Sequence, residues 1–293
     1  MDKNIFTEDF WTEQWNNVKQ SKDTKNNDTY KVHKGFATPE YWDKASLSYD
    51  TKNEEIASRK INKIIKLLQS NNLIFENCSV LEIGCGTGLL ARELARNKCH
   101  VTALDFSQGM IDRCKRNLPD ELKDRIVFMH EDWNKIDLEE FKWEKRFDLV
   151  AAFMSPAIST PESFFKMMET SKNGCVIKGW ATKRKHDILD GLWGKIMAHP
   201  LEDKPQNFLY KLNLLFSMGY FPELTFDKVQ WGEETTVEEE FQNQFAFFNK
   251  ISNIDNDKLK KIIRAYLTTI AKNDVLIKNH KGLTATAFWH LKP

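Results

Sequence analysis

A glycine-rich turn and the acid that follows it are the residues of this sequence best suited to chemistry. Gly84, Gly86 and Gly88 separate the apolar run 80–83 from an amphipathic helical stretch. Glycines allow positive φ angles and close approach of a ligand to the main chain, and a helix start offers free N–H groups. Asp105 ends the next apolar run, about 20 residues on, where an acid can accept both hydroxyls of a ribose. This order predicts the first half of a nucleotide-binding α/β fold.

The spacing of the glycines indicates which cofactor binds. A dinucleotide site would have a third glycine where this chain has Leu89. Residues 80–88 instead read V-L-E-I-G-C-G-T-G, with Glu82 inside the strand. This run resembles the first motif of the class I S-adenosylmethionine-dependent methyltransferases. The resemblance implies an α/β, Rossmann-like three-layer sandwich with a mostly parallel seven-stranded sheet, an antiparallel last strand, and a helical lid or insert.

The same resemblance implies the residues that would hold S-adenosyl-L-methionine. Glu82 would orient the methionine end, and Asp105 would take the ribose hydroxyls. Asp132 would accept the adenine amino group, although an ordinary loop acid also fits that position, and Trp133 could equally be a surface-packing residue. The implied cofactor-binding set is Tyr49, Glu82, Gly84, Cys85, Gly86, Gly88, Asp105, Phe106, Met110, Asp132, Trp133 and Phe153.

An aromatic segment precedes this core. Residues 41–50 read Y-W-D-K-A-S-L-S-Y-D and resemble the entry segment of small-molecule methyltransferases of the ubiquinone-biosynthesis type. In that group the segment folds over the cofactor, which would make residues 1–50 a lid; the alternative is a helix that only packs on the core. Trp and Tyr suit a lid because they stack on a ligand and keep a polar tip. Trp42 is therefore a candidate acceptor-binding residue.

The acceptor is expected at the carboxyl ends of the fourth and fifth predicted strands. The candidates there are Met154, Ser155 and Trp180. Enzymes of this class that methylate amides and adenine bases carry Asn or Asp and two prolines after the fourth strand. This chain reads F-M-S-P-A-I from Phe153. The departure weakens those two activities and leaves the attacking atom open.

A general base is needed only if the nucleophile is protonated at neutral pH. His130 ends the third predicted strand and His186 follows the fifth, so both are candidate bases, although a lone histidine is more often structural. The basic run 183–185 beside His186 is either a solvated helix start or a site for an anionic substrate group.

The composition excludes several classes of protein. The chain has 293 residues, 41% of them hydrophobic, which is enough for a large core. A net charge of +1 does not favour a nucleic-acid or anionic-membrane partner. Five cysteines without a C-x-x-C pair indicate neither a zinc site nor a disulfide framework. With a polar start and no long apolar stretch, we expect a cytoplasmic protein without a membrane partner, and the oligomeric state stays open.

Four segments are predicted. An aromatic helical lid covers 1–50, the cofactor-binding core 51–181, a helical substrate-cap insert 182–222, and the strands and helices completing the sheet 223–293. Within the last two segments we predict helices over 182–200 and 258–277 and strands over 224–231 and 283–289.

Three functions are compatible with these features. The favoured one is a methyltransferase that moves a methyl group to a small molecule by in-line displacement and releases S-adenosylhomocysteine. An RNA or protein methyltransferase would require a basic face or an added binding module, and neither is visible in the sequence. The third is a non-catalytic S-adenosylmethionine-binding regulatory protein, against which the intact Glu82, glycines and Asp105 argue.

Overall fold

One eight-stranded sheet organises the part of the chain that the structure describes. The computed structural model describes residues 4–23, 38–46, 54–182, 184–197 and 207–291. The strands are β1 Ser79–Ile83, β2 His100–Asp105, β3 Ile126–His130, β4 Phe147–Phe153, β5 Ser171–Trp180, β6 Lys185–His186, β7 Glu223–Thr236 and β8 Val275–His290. Tyr49 lies outside the described residues.

Helices surround the sheet. They are α1 Glu8–Asp23, α2 Pro39–Ser46, α3 Glu54–Ser70, α4 Leu89–Arg96, α5 Gln108–Arg116, α6 Leu138–Phe141, α7 Pro161–Thr170, α8 Asp187–Ile196, α9 Asn207–Ser217, α10 Val237–Ile251 and α11 Asn256–Ile270. None of the helices in the described ranges is both long and apolar enough to cross a membrane.

Strands β1 to β5 form the parallel half of the sheet. Their order is β3-β2-β1-β4-β5, so the winding reverses between β1 and β4. Both central strands are buried almost throughout, as expected where helices cover both faces. A ligand crevice opens at such a reversal, outside the carboxyl ends of the strands.

The last strand completes the sheet in the antiparallel sense. β8 pairs antiparallel with β5, with Ile177 opposite Ala287. β7 pairs antiparallel with β8 from Glu223 to Thr236, so β8 lies between β5 and β7. The two-residue strand β6 adds to β8 at Lys281 and His280. The predicted mostly parallel sheet with an antiparallel last strand is confirmed, and the additional strand is the short β6.

The predicted insert 182–222 divides between two hydrophobic clusters. Ile188 and Leu192 of α8 are buried with α10 and α11. Phe208 and Leu212 of α9 instead join the cluster that contains β5 and α7. The apolar faces of α8 and α9 therefore face different cores, and a substrate-cap role for this segment stays a prediction.

Helix α1 packs as a core helix. Its Trp15 is 2% exposed and lies 5.9 Å, ring centre to ring centre, from Phe164 of α7. α1 also contacts α9. The helices described within the predicted lid 1–50 are thus α1, which buries Trp15 in the core, and α2, whose position is described with the site.

Four boundaries differ from the sequence prediction. The strand predicted over 283–289 begins earlier, at Val275, and ends at His290. The helix predicted over 258–277 ends at Ile270, because Asn273 and Asp274 adopt positive φ angles in a turn that leads into β8. The helix predicted over 182–200 is shorter, 187–196, since β6 precedes it. The strand predicted over 224–231 extends to Thr236, because β8 pairs with it over its whole length.

Candidate functional site

A cavity of about 490 Å³ opens at the carboxyl ends of the central strands. Its walls come from the glycine turn, from α2 and α3, from the segments that follow β2, β3 and β4, and from Lys178 within β5. The described residues that line it include most of the predicted cofactor set and three predicted acceptor residues: Glu82, Gly84, Cys85, Gly86, Asp105, Phe106, Met110, Asp132, Trp133, Phe153, Trp42, Met154 and Ser155.

The glycine turn follows β1 and lies against Ser155, which follows β4. Gly84 has a φ of +72°, and a Cβ atom added there would lie 2.2 Å from the Ser155 hydroxyl oxygen. A side chain at this position is therefore excluded both by conformation and by space. Gly88 is buried at the start of α4 and does not line the cavity. Arg92 of α4 donates to the Thr87 carbonyl at 2.8 Å and so fixes the far side of the turn.

Glu82 is a buried acid with an unused oxygen. Its side chain is 3% exposed, and its Oε2 atom has no hydrogen-bond partner among the described residues. Burial raises the pKa of this carboxyl to about 8, and the nearby Asp105 charge adds to the rise, while a bond from the Ala91 backbone N–H opposes it. A cation entering the cavity would therefore find an acceptor that the protein itself leaves free.

Asp105 ties the end of β2 to the glycine turn. Its carboxylate accepts from the Gly86 N–H at 2.9 Å and from the Ser107 N–H at 3.0 Å. Burial raises the pKa of this group, and these two hydrogen bonds oppose the rise. Each carboxylate oxygen can accept more than one hydrogen bond, so the group can also receive ligand hydroxyls.

The segments after β2 and β3 form the opposite wall. Met110 is 1% exposed, and Phe106 is half-buried. Asp132 accepts from the Asn134 N–H at 3.0 Å and stays partly accessible. Trp133 is 1% exposed and donates to the Ser163 carbonyl at 3.2 Å. Trp133 is thus a core residue that also lines the cavity.

Helix α2 forms a wall because it is docked on the start of α5. Its Asp43 carboxylate accepts from the Ser107 hydroxyl at 2.6 Å and from the Gly109 N–H at 2.9 Å. These hydrogen bonds lower the pKa of Asp43. A Cβ atom at Gly109 would lie 2.6 Å from the Ser46 hydroxyl oxygen, so glycine permits the close contact. Trp42, next to Asp43, is thereby held at the cavity.

The residue that follows β4 carries backbone strain at the cavity. Met154 has a φ of +54°, which is unfavourable for a residue with a side chain. A hydrogen bond from its N–H to the Lys178 carbonyl, 2.8 Å long, holds this conformation. The Met154 side chain is 43% exposed and lines the cavity. Strain of this kind is typical of ligand-binding positions.

Besides Gly88, three predicted site residues do not line the cavity. The His130 ring nitrogen Nε2 lies 3.0 Å from the Phe106 carbonyl oxygen, and its side chain is exposed. His186 caps α8 by accepting from the Leu189 N–H at 3.2 Å, and burial lowers its pKa. Trp180 lies near Trp231, with ring centres 6.3 Å apart. The structure thus gives both histidines structural contacts, and a catalytic role for either stays a prediction.

Several lining residues had no signal in the sequence motifs. The most consequential are two lysines, Lys60 of α3 and Lys178 of β5. A lysine in a helix or near a strand end matches no motif, and these two reach one cavity because α3 packs on the face of the sheet that includes Val176 of β5. The other lining residues outside the predicted set are Ala57, Ile61, Thr87, Leu89, Leu90, Leu104, Glu131, Asn134, Pro156, Ala157 and Ser159.

Comparison with known proteins identifies the central segment. Residues 80–173 match the family model of a methyltransferase domain. Magnesium-protoporphyrin O-methyltransferase of Rhodobacter capsulatus is 37% identical over 81 residues, which are 28% of this chain and 36% of that protein. Malonyl-[acyl-carrier protein] O-methyltransferase of Priestia megaterium is 31% identical over 105 residues, 35% of this chain and 34% of that protein. The match spans about a third of the length of these curated relatives.

A solved structure shows a more extended likeness. Magnesium protoporphyrin IX methyltransferase from Synechocystis, with bound SAH, aligns with a TM-score of 0.45 and 13% identity, over 80% of this chain and 83% of that one. The family match, by contrast, covers the strands and helices that build the glycine turn, Asp105 and the end of β4. Residues 80–173 of this chain therefore carry the match to a methyltransferase domain.

Proposed function

We propose that the protein is an S-adenosyl-L-methionine-dependent methyltransferase that acts on a small-molecule acceptor and releases S-adenosylhomocysteine. The observation that carries this proposal is the buried Glu82 carboxyl, whose Oε2 atom has no partner among the described residues. It faces a cavity shared with the glycine turn and Asp105. The methyltransferase domain supports the proposal, as do the two relatives, which are both named O-methyltransferases.

The residues present fit this cofactor. Glu82 would accept from the ammonium group of the methionine end, which would remove the cost of an unpaired buried acceptor. The bare main chain at Gly84 would allow close approach of that end. Asp105 would take the ribose hydroxyls, and Asp132 would accept from the adenine amino group between Phe106 and Met110.

The chain's own residues would chiefly bind and orient the reactants. S-adenosyl-L-methionine supplies a methyl group that its positively charged sulfur already activates. Trp42, Phe153 and Met154 would provide apolar walls that exclude water around the acceptor. Cys85 lies in the turn, but its contact with Cys114 and its burial raise the pKa of the thiol well above its usual value. Cys85 is therefore protonated and acts in packing.

A small acceptor is supported by the size and charge of the molecule. A cavity of about 490 Å³ lies within the range of small-molecule sites, roughly 300–1,000 Å³. The net charge of +1 gives no general attraction for nucleic acid. A cytoplasmic location without a nucleic-acid or membrane partner belongs to the same proposal.

Calorimetry and label transfer together test this function. We expect S-adenosylhomocysteine to bind the wild-type protein, and Asp105→Asn to weaken binding by about 10-fold or more, because a charged acceptor is lost. Methyl-labelled S-adenosylmethionine and a cell extract separated by size should then give label in the low-mass fraction. Label on protein or RNA would refute the acceptor class, and binding without any transfer would favour a regulatory role.

A further inference from the structure

The cavity has an acidic end and a basic end. Glu82 and Asp105 come from β1 and β2, and Asp132 follows β3. Lys178 of β5 forms the basic end, and a second lysine, Lys60, lies on α3, which contacts the helix α4 that follows the glycine turn. Since the strand order is β3-β2-β1-β4-β5, the acids and the β5 lysine lie towards opposite ends of the crevice.

Lys178 is held in a fixed position at the basic end. It stands opposite Phe153 in the β4–β5 register, so both side chains leave the same face of the sheet. Phe153 packs against the cluster that contains α3, which places Lys178 on the α3 side. The Lys178 ammonium lies 3.1 Å from the Asp227 carboxylate of β7, and its side chain is 14% exposed. An ammonium group has three N–H donors, so this pairing leaves two for a ligand.

Lys60 differs from Lys178 because, in the described part of the chain, no ion pair or hydrogen bond holds it, although it lines the cavity. Its neighbours Ala57 and Ile61 line the same wall. The cofactor carries one carboxylate group, and pairing it with Lys60 leaves the Lys178 ammonium group for the acceptor.

The chemistry of the lining limits the nucleophile. Among the described residues, no histidine lines the cavity, and the Cys85 thiol is protonated. The described lining therefore contains no histidine that could accept a proton from the nucleophile. A carboxylate is already ionised at neutral pH and requires no proton acceptor.

We propose that the methyl acceptor is a carboxylic acid whose carboxylate is held by Lys178, while Lys60 receives the carboxylate of the cofactor. The inference depends on the proposed function. In the transfer, one carboxylate oxygen forms a bond to the methyl carbon as the carbon–sulfur bond breaks. The bonding pair passes to sulfur, and the products are a methyl ester and S-adenosylhomocysteine, without proton transfer. Asp227 positions Lys178 and does not contact the reacting atoms.

The chemical lability of the product provides the test. The wild-type protein is incubated with methyl-labelled S-adenosylmethionine and a small-molecule extract of the organism that carries the gene, and the labelled product is then treated with mild alkali. A methyl ester releases its label as volatile methanol, whereas N-methyl, C-methyl and ether products keep it. We expect volatile label, and alkali-stable label would overturn the inference while leaving the proposed methyltransferase intact. No label at all would overturn both.

Three variants assign the two lysines. Lys178→Gln should raise the KM for the acceptor by about 10- to 100-fold and keep the affinity for S-adenosylhomocysteine within about 2-fold, since it removes one charged hydrogen bond. Lys60→Gln should weaken S-adenosylhomocysteine binding by about 10-fold. Lys172→Gln, at the opposite end of β5, is the matched control and should change neither value. The assignment is overturned if Lys178→Gln weakens the binding of S-adenosylhomocysteine as much as Lys60→Gln does, or leaves the KM unchanged.

Discussion

Replacing Glu82 by glutamine should make the ligand-free protein more stable and its cofactor binding weaker. The Glu82 carboxyl has a pKa of about 8 in the fold, against 4.5 in the unfolded chain. Above pH 4.5 the unfolded chain releases this proton while the folded protein retains it, so the unfolding free energy falls as the pH rises towards 8. With about 1.4 kcal/mol per pH unit, the loss at pH 7 is about 3 kcal/mol. Glu82→Gln removes the titrating group and should recover about 1–3 kcal/mol of that.

The same substitution removes the charged acceptor that the ligand would use. A hydrogen bond to a charged group contributes about 1.5–3 kcal/mol, so the dissociation constant for S-adenosylhomocysteine should rise by about 10- to 150-fold. The ammonium group of the ligand should also lower the pKa of Glu82 in the wild-type complex. Binding at pH 7 should therefore release a proton from the wild-type protein and none from the variant at this position.

Two measurements check this reasoning. Urea unfolding between pH 5 and pH 8 gives the pH dependence of the unfolding free energy, which should be flatter in Glu82→Gln. Calorimetry in buffers of different ionisation enthalpy gives the affinity and the proton release. Glu140→Gln, an exposed acid on α6, is the control and should behave as wild type. The reasoning is refuted if Glu82→Gln is less stable than wild type at pH 8, or binds S-adenosylhomocysteine equally well.

The remaining predictions concern packing around the site. Gly84→Ala should destabilise the fold by about 2 kcal/mol or more and weaken cofactor binding, because its Cβ would collide with Ser155 at a positive φ. Gly194→Ala, where a Cβ in α8 meets nothing within 4 Å, should instead stabilise by about 0.5–1 kcal/mol in the same urea assay. Trp15→Ala should cost about 3–5 kcal/mol, since the side chain is 2% exposed; a loss below 1 kcal/mol would show that α1 is not part of the core. Asp43→Asn should lower the affinity for S-adenosylhomocysteine several-fold by loosening α2 from α5, with a stability loss of about 1 kcal/mol on thermal unfolding.

The positions that the sequence could predict are those whose role depends on local backbone geometry. The glycine turn follows a strand and starts a helix, so its conformation and its place at the end of β1 follow from about ten adjacent residues. Asp105 ends the next strand, which pairs in parallel with β1, as consecutive strands joined by a short helical connection commonly do. These local rules also predicted the parallel strands from their apolar runs, although between β3 and β4 the structure has only the four-residue helix α6.

The tertiary structure decided every feature that depends on contacts between distant segments. Lys60 and Lys178 line one cavity because α3 packs on the face of the sheet from which the Lys178 side chain projects. No local sequence pattern predicts that proximity. Trp180 ends β5 and His186 follows it closely in the sequence, so both were expected near the cavity. In the structure Trp180 instead lies near Trp231 of β7, and His186 contacts His280 of β8. The sequence alone thus determined the glycine turn, Asp105 and the residues after the strand ends that line the cavity. The two lysines were decided by packing, because they come from elements that only the folded chain brings together.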